Sequence, residues 1–149
     1  MAVVKQFSTF YLDRLLFGVE VGKVQEVIRY QEMTRVPLAP PVVTGLINLR
    51  GQIVTALDLR RRLDLTERAS DRLPMNVVVR NGDEAVSLLV DEIGDVLEVE
   101  DETFEAPPET LQGVARELIR GAYKLKERLL LILDTEKTVT LNSNTNLSS

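Results

Sequence analysis

Three aspartates, Asp58, Asp91 and Asp134, each end an apolar run, a position from which a carboxylate can act as a general acid or base. Residues 91–109 add a dense stretch of nine acidic side chains, Asp91 to Glu109, with no Lys or Arg among them. A pair of these carboxylates with separated pKa values in a cleft would be enough for hydrolytic chemistry. The composition speaks against it. The 149 residues contain neither His nor Cys, which removes Ser-His-Asp triads, Cys-His dyads, zinc thiolates and most transition-metal ligation together. The acidic stretch lacks the Asp-x-Asp-x-Asp-Gly order of a calcium loop. Gly18 and Gly22 are followed by no Gly-Lys-Ser/Thr and no helix signal, so they make no phosphate loop. Asp58 and Asp134 are explained more simply as helix N-caps. A carboxylate enzyme is therefore the remote alternative, and no catalytic, metal-binding or cofactor-binding residue is assigned.

Binding chemistry fits the residues better. Residues 50–72 hold six arginines, Arg50, Arg60, Arg61, Arg62, Arg68 and Arg72, against four acids. Set against the acidic stretch, they are either one of two solvated faces or one pole of a molecule that docks in a preferred orientation. The net charge of −5 argues against nucleic acid as the main partner. Arg50 stands at a turn signal between Asn48 and Gly51, where its planar guanidinium can grip a partner carboxylate or tie down neighbouring backbone. Both uses are open. Val24, Glu26 and Val27 combine small aliphatic groups with one acid, a mixed interface patch or, for Val24, simply a core position.

The elements that must position these side chains are written twice. Residues 45–58 and 121–134 match in their apolar positions without a gap, from Gly45 over Gly121 to Asp58 over Asp134. Upstream, residues 24–28 echo 93–97, and Ala39-Pro40-Pro41 echoes Ala106-Pro107-Pro108. Between the prolines and the glycine the second copy is nine residues longer, fifteen steps (106 to 121) against six (39 to 45). Two copies are too few for a solenoid and should pack as a pseudo-symmetric pair.

The local signals are mostly β. Phe17, Val19 and Val21 alternate with Gly18, Glu20 and Gly22, as in a half-buried strand. Residues 53–57 and 129–133 are short apolar runs, the second apolar enough to be buried on both faces. Residues 77–79 and 85–90 flank Asn81 and Gly82, read as the central residues of a hairpin turn. A second turn is expected at residues 50–52, with Lys126 as the counterpart of Arg50. Helix signals are few: Asp58 before Leu59 and Leu63, Asp134 before residues 135–137, and a single turn opened by Pro40 and Pro41. Many short strands with regular turns imply small barrels. No apolar run approaches the ~20 residues of a membrane span. No signal-peptide pattern opens the chain, and the lack of cysteine suits a reducing cytoplasm. Residues 141–149 read as a polar tail that frays, leaving 1–140 as one domain of two packed β subdomains.

Four landmarks in this order resemble the CheW-like domain family over residues 6–139: residues 17–21, residues 23–28, the Asn-Leu-Arg-Gly motif within 45–51 with the following 53–59 strand, and residues 90–96. The resemblance implies an all-β fold of two SH3-like five-stranded barrels around a shared apolar interface, with strands open to exchange between them. It implies a non-catalytic adaptor, coupling the cytoplasmic tip of methyl-accepting chemoreceptors to the regulatory domain of the histidine kinase CheA. It implies partner contacts at Val24, Glu26, Val27, Gly45, Asn48 and Arg50. Val86, Ser87 and Ile93 fall where the family forms an apolar groove, Ser87 in place of a glycine common there. No receiver, kinase or phosphotransfer region accompanies the domain, so a stand-alone adaptor is expected, with no membrane insertion of its own. Related motility and developmental pathways use the same domain, and nothing in the sequence selects among them.

Overall fold

Eleven strands and three short α-helices make up the described residues, 3–66 and 72–141 of the computed structural model. The first repeat contributes β1 (Val4–Leu12), β2 (Leu15–Glu20), β3 (Val24–Ile28), β4 (Val43–Leu49), β5 (Gln52–Asp58) and α1 (Leu59–Arg62). The second contributes β6 (Met75–Asn81), β7 (Glu84–Val90), β8 (Glu92–Glu100), β9 (Phe104–Glu105) and α2 (Gly113–Leu118). It continues with β10 (Ile119–Lys124), β11 (Leu129–Leu133) and α3 (Thr135–Val139). The strands form a six-stranded sheet, β8-β1-β2-β11-β10-β9, and a five-stranded sheet, β3-β6-β7-β5-β4. Five strands per subdomain are therefore met once, and the other sheet gains only the two-residue β9.

The two orders are the same order once the opening hairpins are traded. The β1–β2 hairpin of the first repeat lies in the sheet built from the second, and the β6–β7 hairpin of the second lies in the sheet built from the first. Each traded hairpin makes a parallel pair in its new sheet, β2 with β11 and β7 with β5. The equivalence extends to detail. Both closing hairpins carry a register shift at matching positions, Val43/Gly45 and Ile119/Gly121. Gly45 and Gly121 coincide because each lets an outer segment cross over it. A Cβ on Gly45 would lie 2.7 Å from the Thr34 carbonyl oxygen, and one on Gly121 would lie 2.4 Å from that of Glu105.

Burial follows from this exchange. One core is shared by both sheets and holds Phe10, Phe17, Val19, Leu57, Val77, Val79, Leu88 and Leu131 among others. Each sheet also has a private core, around Ile47, Val54, Val78 and Leu89 in one and Phe7, Tyr123, Leu130 and Ile132 in the other. Strands β6 and β11 thus send alternate side chains to different cores, so their apolar runs are unbroken. The half-buried reading of residues 17–22 does not hold. In β2, residues 16–19 are all buried, and the strand gives way to a 3-10 turn at Val21–Lys23.

The caps are where the spacing places them. The Asp58 carboxylate accepts from the backbone N–H of Arg60 at 3.0 Å, and that of Asp134 from Lys137 at 3.0 Å. Each satisfies donors that the first helical turn leaves orphaned. Pro40 accepts from the Val43 N–H at 2.9 Å, closing the expected single turn. The β6–β7 turn sits one residue later than the sequence suggests. Asn81 pairs with Glu84, so Gly82 (φ 64°) and Asp83 are central, and the glycine is needed at the first central position. Helix α2 had no sequence signal and occupies the nine-residue excess of the second repeat. Leu141, read as the start of the tail, packs on the shared core; the rest of that tail lies outside the described residues.

Candidate partner-binding site

Arg50 and Gly51 form the tip of the β4–β5 hairpin, with Leu49 paired to Gln52 and both tip residues at positive φ, 50° and 92°. Such a two-residue turn matches strand twist but is unfavourable for a side chain as large as arginine. Two contacts hold it. The Asn48 side-chain oxygen accepts from the Gly51 N–H at 2.8 Å. The Arg50 guanidinium donates a short hydrogen bond to the Glu26 carboxylate on β3. Gln25 adds a weaker bridge, donating to Gln52 at 3.4 Å. Because β3 and β4 are the two edges of the five-stranded sheet, this cluster latches the edges of that barrel together.

The latch faces solvent unequally. Arg50 is 72 % exposed and Glu26 only 20 %. The guanidinium hydrogen-bonded to it holds the Glu26 carboxyl below its ordinary pKa, against the smaller opposing effect of burial. Glu26 raises the Arg50 pKa in return. A carboxylate kept ionised this way is a poor proton donor and a standing negative charge. Next to Glu26 along β3, Val27 is 36 % exposed, and next to Gln52 along β5, Ile53 is 60 % exposed. Ile53 was hidden in the sequence by the apolar run of residues 53–57, in which Val54 and Ala56 are the inward positions.

The remaining expected contact residues are scattered. Val24 packs against the shared core, and Gly45 and Asn48 serve the local backbone as described. Val86 is buried in the shared core. Ser87 is fully buried, and its hydroxyl donates to the Asn76 side-chain oxygen at 2.7 Å while the Asn76 amide donates to the Arg29 carbonyl at 3.0 Å. The Ser87 hydroxyl is thus absorbed by an internal chain of hydrogen bonds. Ile93, on β8 opposite Phe10, is partly buried against the shared core in the other sheet.

The other candidate acids have structural partners. Asp91, at the β7–β8 junction, accepts from Arg60 Nε at 3.0 Å and from the Asp13 backbone N–H at 2.7 Å. Arg60 also donates to both carboxylate oxygens of Asp13, at 2.5 and 3.2 Å, and to the Thr66 carbonyl at 2.9 Å. Its side chain is only 5 % exposed. The hydrogen bonds it donates to Asp91 raise its pKa, with burial opposing and Asp13 adding to the rise. This clamp joins α1 of one sheet to the β1–β2 turn of the other. Arg62 makes a second tie, donating to the carbonyls of Thr138 and Lys137 at 2.8 Å each, at the end of α3. Arg60 and Arg62 of the arginine-rich stretch are therefore used inside the molecule, while Arg50, Arg61 and Arg72 are exposed. Among the described residues no cluster of His, Cys, Asp or Glu is arranged to hold a metal ion.

Two hairpin-exchanged SH3-like barrels, with the Arg50–Glu26 ion pair at a hairpin tip of one, define a two-barrel β module. The chain belongs to the CheW-like domain family, whose model matches residues 6–142. It is 33 % identical over 135 residues to the chemotaxis protein CheW of Klebsiella aerogenes, covering 91 % of this chain and 81 % of that protein. Against the chemotaxis protein CheW of Bacillus subtilis it is 32 % identical over 140 residues, covering 94 % and 90 %. The fold matches the crystal structure of the scaffolding protein TtCheW from Thermoanaerobacter tengcongensis, with a TM-score of 0.83 at 24 % identity, over 94 % of this chain and 95 % of that one.

Proposed function

We propose that this chain is a non-catalytic chemotaxis adaptor, holding a CheA-type histidine kinase through its regulatory domain to the cytoplasmic tip of methyl-accepting chemoreceptors. The observation that carries the reading is the Arg50–Glu26 latch, a preformed charged pair on the same strands, β3 and the β4–β5 hairpin, that carry exposed Val27 and Ile53. Apolar groups beside an organised charge give affinity from desolvation and orientation from electrostatics. The CheW proteins that it resembles along most of their length are named for chemotaxis, which supports the same pathway. No helix among the described residues is long and apolar enough to cross a membrane; in this reading the adaptor works in the cytoplasm and reaches the membrane through the receptor. Of the nine residues expected to make contacts, Glu26, Val27 and Arg50 are proposed to touch a partner; Gly45, Asn48 and Ser87 act by holding the surrounding backbone.

Calorimetric titration with the regulatory domain of the cognate kinase, and separately with a receptor-tip fragment, tests the reading. Saturable binding of about one to one with either, weakened by Arg50→Glu while circular dichroism is unchanged, is expected. Absence of heat with both at two temperatures would overturn it.

A further inference from the structure

The two exchanged hairpins end in equivalent turns that are held very differently. In β1–β2, Leu12 pairs with Leu15 across Asp13 and Arg14; in β6–β7, Asn81 pairs with Glu84 across Gly82 and Asp83. Both first central residues have positive φ, 54° at Asp13 and 64° at Gly82. The Asp13 tip is clamped, its carboxylate by Arg60 and its N–H by Asp91. Where the first repeat has Arg60 the second has Glu136, which pairs with Lys23 at 3.6 Å and leaves the Gly82 tip untied. The side chains of Asn81, Asp83 and Glu84 have no hydrogen-bond or ion-pair partner among the described residues. Residues 82–84 are exposed. A hairpin tip held by main-chain pairing alone opens at little cost.

This free tip carries the one Asn-Gly step of the chain. The Gly82 nitrogen and the Asn81 side-chain carbon Cγ can close a five-membered ring through the Asn81 backbone. Gly82 has no Cβ to shield that nitrogen, and nothing lies within 4 Å of where one would stand. Its N–H has no acceptor among the described residues. The other asparagines are protected. Asn48 and Asn76 precede Leu49 and Val77, and both side chains are engaged. Asn48 accepts from the Gly51 N–H at 2.8 Å, and Asn76 is buried between Ser87 and the Arg29 carbonyl. Asn142, Asn144 and Asn146 are followed by Ser143, Thr145 and Leu147, whose β-carbons crowd the nucleophile.

We propose that Asn81 is a site of spontaneous deamidation, converted through a succinimide with Gly82 into isoaspartate and aspartate. The Gly82 nitrogen gives up its proton and bonds to Asn81 Cγ, the Cγ–nitrogen bond of the amide breaks, and ammonia leaves with a proton from water. Water then opens the ring at either carbonyl. Isoaspartate carries the main chain through the former side chain and adds a methylene to a turn of two residues, so the closing pair with Glu84 is lost. Either product adds a negative charge beside Asp83 and Glu84. Because the attacking nitrogen must lose a proton, the reaction quickens as pH rises. It belongs to this chain alone and does not depend on the adaptor reading.

Incubating the full chain from neutral to mildly alkaline pH, followed by peptide mapping in a mass spectrometer, tests it. The mass gain of amide-to-acid conversion is expected at residue 81, with isoaspartate in excess and a rate that rises with pH. Asn81→Gln should lose it, since the longer side chain closes its ring poorly. An isoaspartyl methyltransferase supplied with labelled S-adenosylmethionine should label the aged protein and not aged Asn81→Gln. Hydrogen exchange should show the aged protein losing protection at the β6–β7 tip, whereas Asn81→Asp, which has the charge without the longer backbone, keeps it. Residue 81 unchanged in the folded chain, whatever happens to it in urea, or the same mass gain in Asn81→Gln, overturns the proposal.

Discussion

Replacing Asp91 by asparagine keeps the shape of the clamp and removes its better-buried charge. Asp91 is 10 % exposed, whereas Asp13, the other carboxylate on Arg60, is 58 % exposed. The guanidinium cannot neutralise itself by losing a proton, so it would stay buried and charged opposite a well-hydrated carboxylate. Removing one member of a buried pair costs about 3–5 kcal/mol. Asp13 and the Thr66 carbonyl remain as partners, which puts Asp91→Asn near the lower end, about 3 kcal/mol, with Asp13 itself contributing about 0–1 kcal/mol. For a domain of this size that is a fall in Tm of roughly 6–12 °C. Urea denaturation and thermal circular dichroism measure it. The double variant Arg60→Met/Asp91→Asn should be more stable than Asp91→Asn alone, because the stranded charge is gone. A shift below about 1 kcal/mol for Asp91→Asn, or a double variant less stable than the single one, would refute the clamp.

Lowering pH through the folded-state titration of Glu26 should open the latch. Its pKa is depressed by Arg50, so the contribution is present at neutral pH, above the unfolded-state value, and lost only below the usual carboxylate range of about 4; a carboxyl NMR titration should find Glu26 among the last to protonate. Tyr123 has the opposite sign: burial first, then Asp101, raises its pKa, so its stabilising contribution is present below about pH 10 and fades as pH rises through the folded value. Ultraviolet difference titration should show one of the three tyrosines ionising late, together with loss of structure, and Tyr123→Phe should remove that step. Gly45→Ala and Gly121→Ala should each destabilise by about 1–3 kcal/mol in urea melts, since backbone carbonyls block the new methyl, while Gly22→Ala, with nothing within 4 Å, should cost little beyond its surface change.

What could be read from the sequence was local or periodic. Asp58 and Asp134 cap the helices that follow them because a cap needs only the next three residues. The duplication survived as matching apolar positions and even located the paired glycines, Gly45 and Gly121. The trade of opening hairpins was not legible, because both sheets present the same apolar pattern to an incoming hairpin. Which one it joins is decided by packing. The Arg60 clamp spans separations of 31 and 47 residues, and the Arg50–Glu26 latch spans 24. No local spacing rule reaches that far. Val86 and Ser87 were offered as groove residues from the resemblance, and only their burial and the Asn76 hydrogen bond reveal an interior role for the serine.

The exchanged hairpins also set an order for the chain as it leaves the ribosome. The five-stranded sheet is drawn from a continuous stretch, β3 through β7, and can close once Val90 has emerged. The β1–β2 hairpin is made first yet finds its neighbours last, since β8, β10 and β11 are not complete until Leu133. During that interval Phe7, Phe10 and Phe17 lack the partners that later bury them. An isolated hairpin is marginal in water, so the nascent chain carries its most aromatic segment uncovered for most of its synthesis. Slowing translation after Val90 should therefore prolong the window in which this protein needs a chaperone.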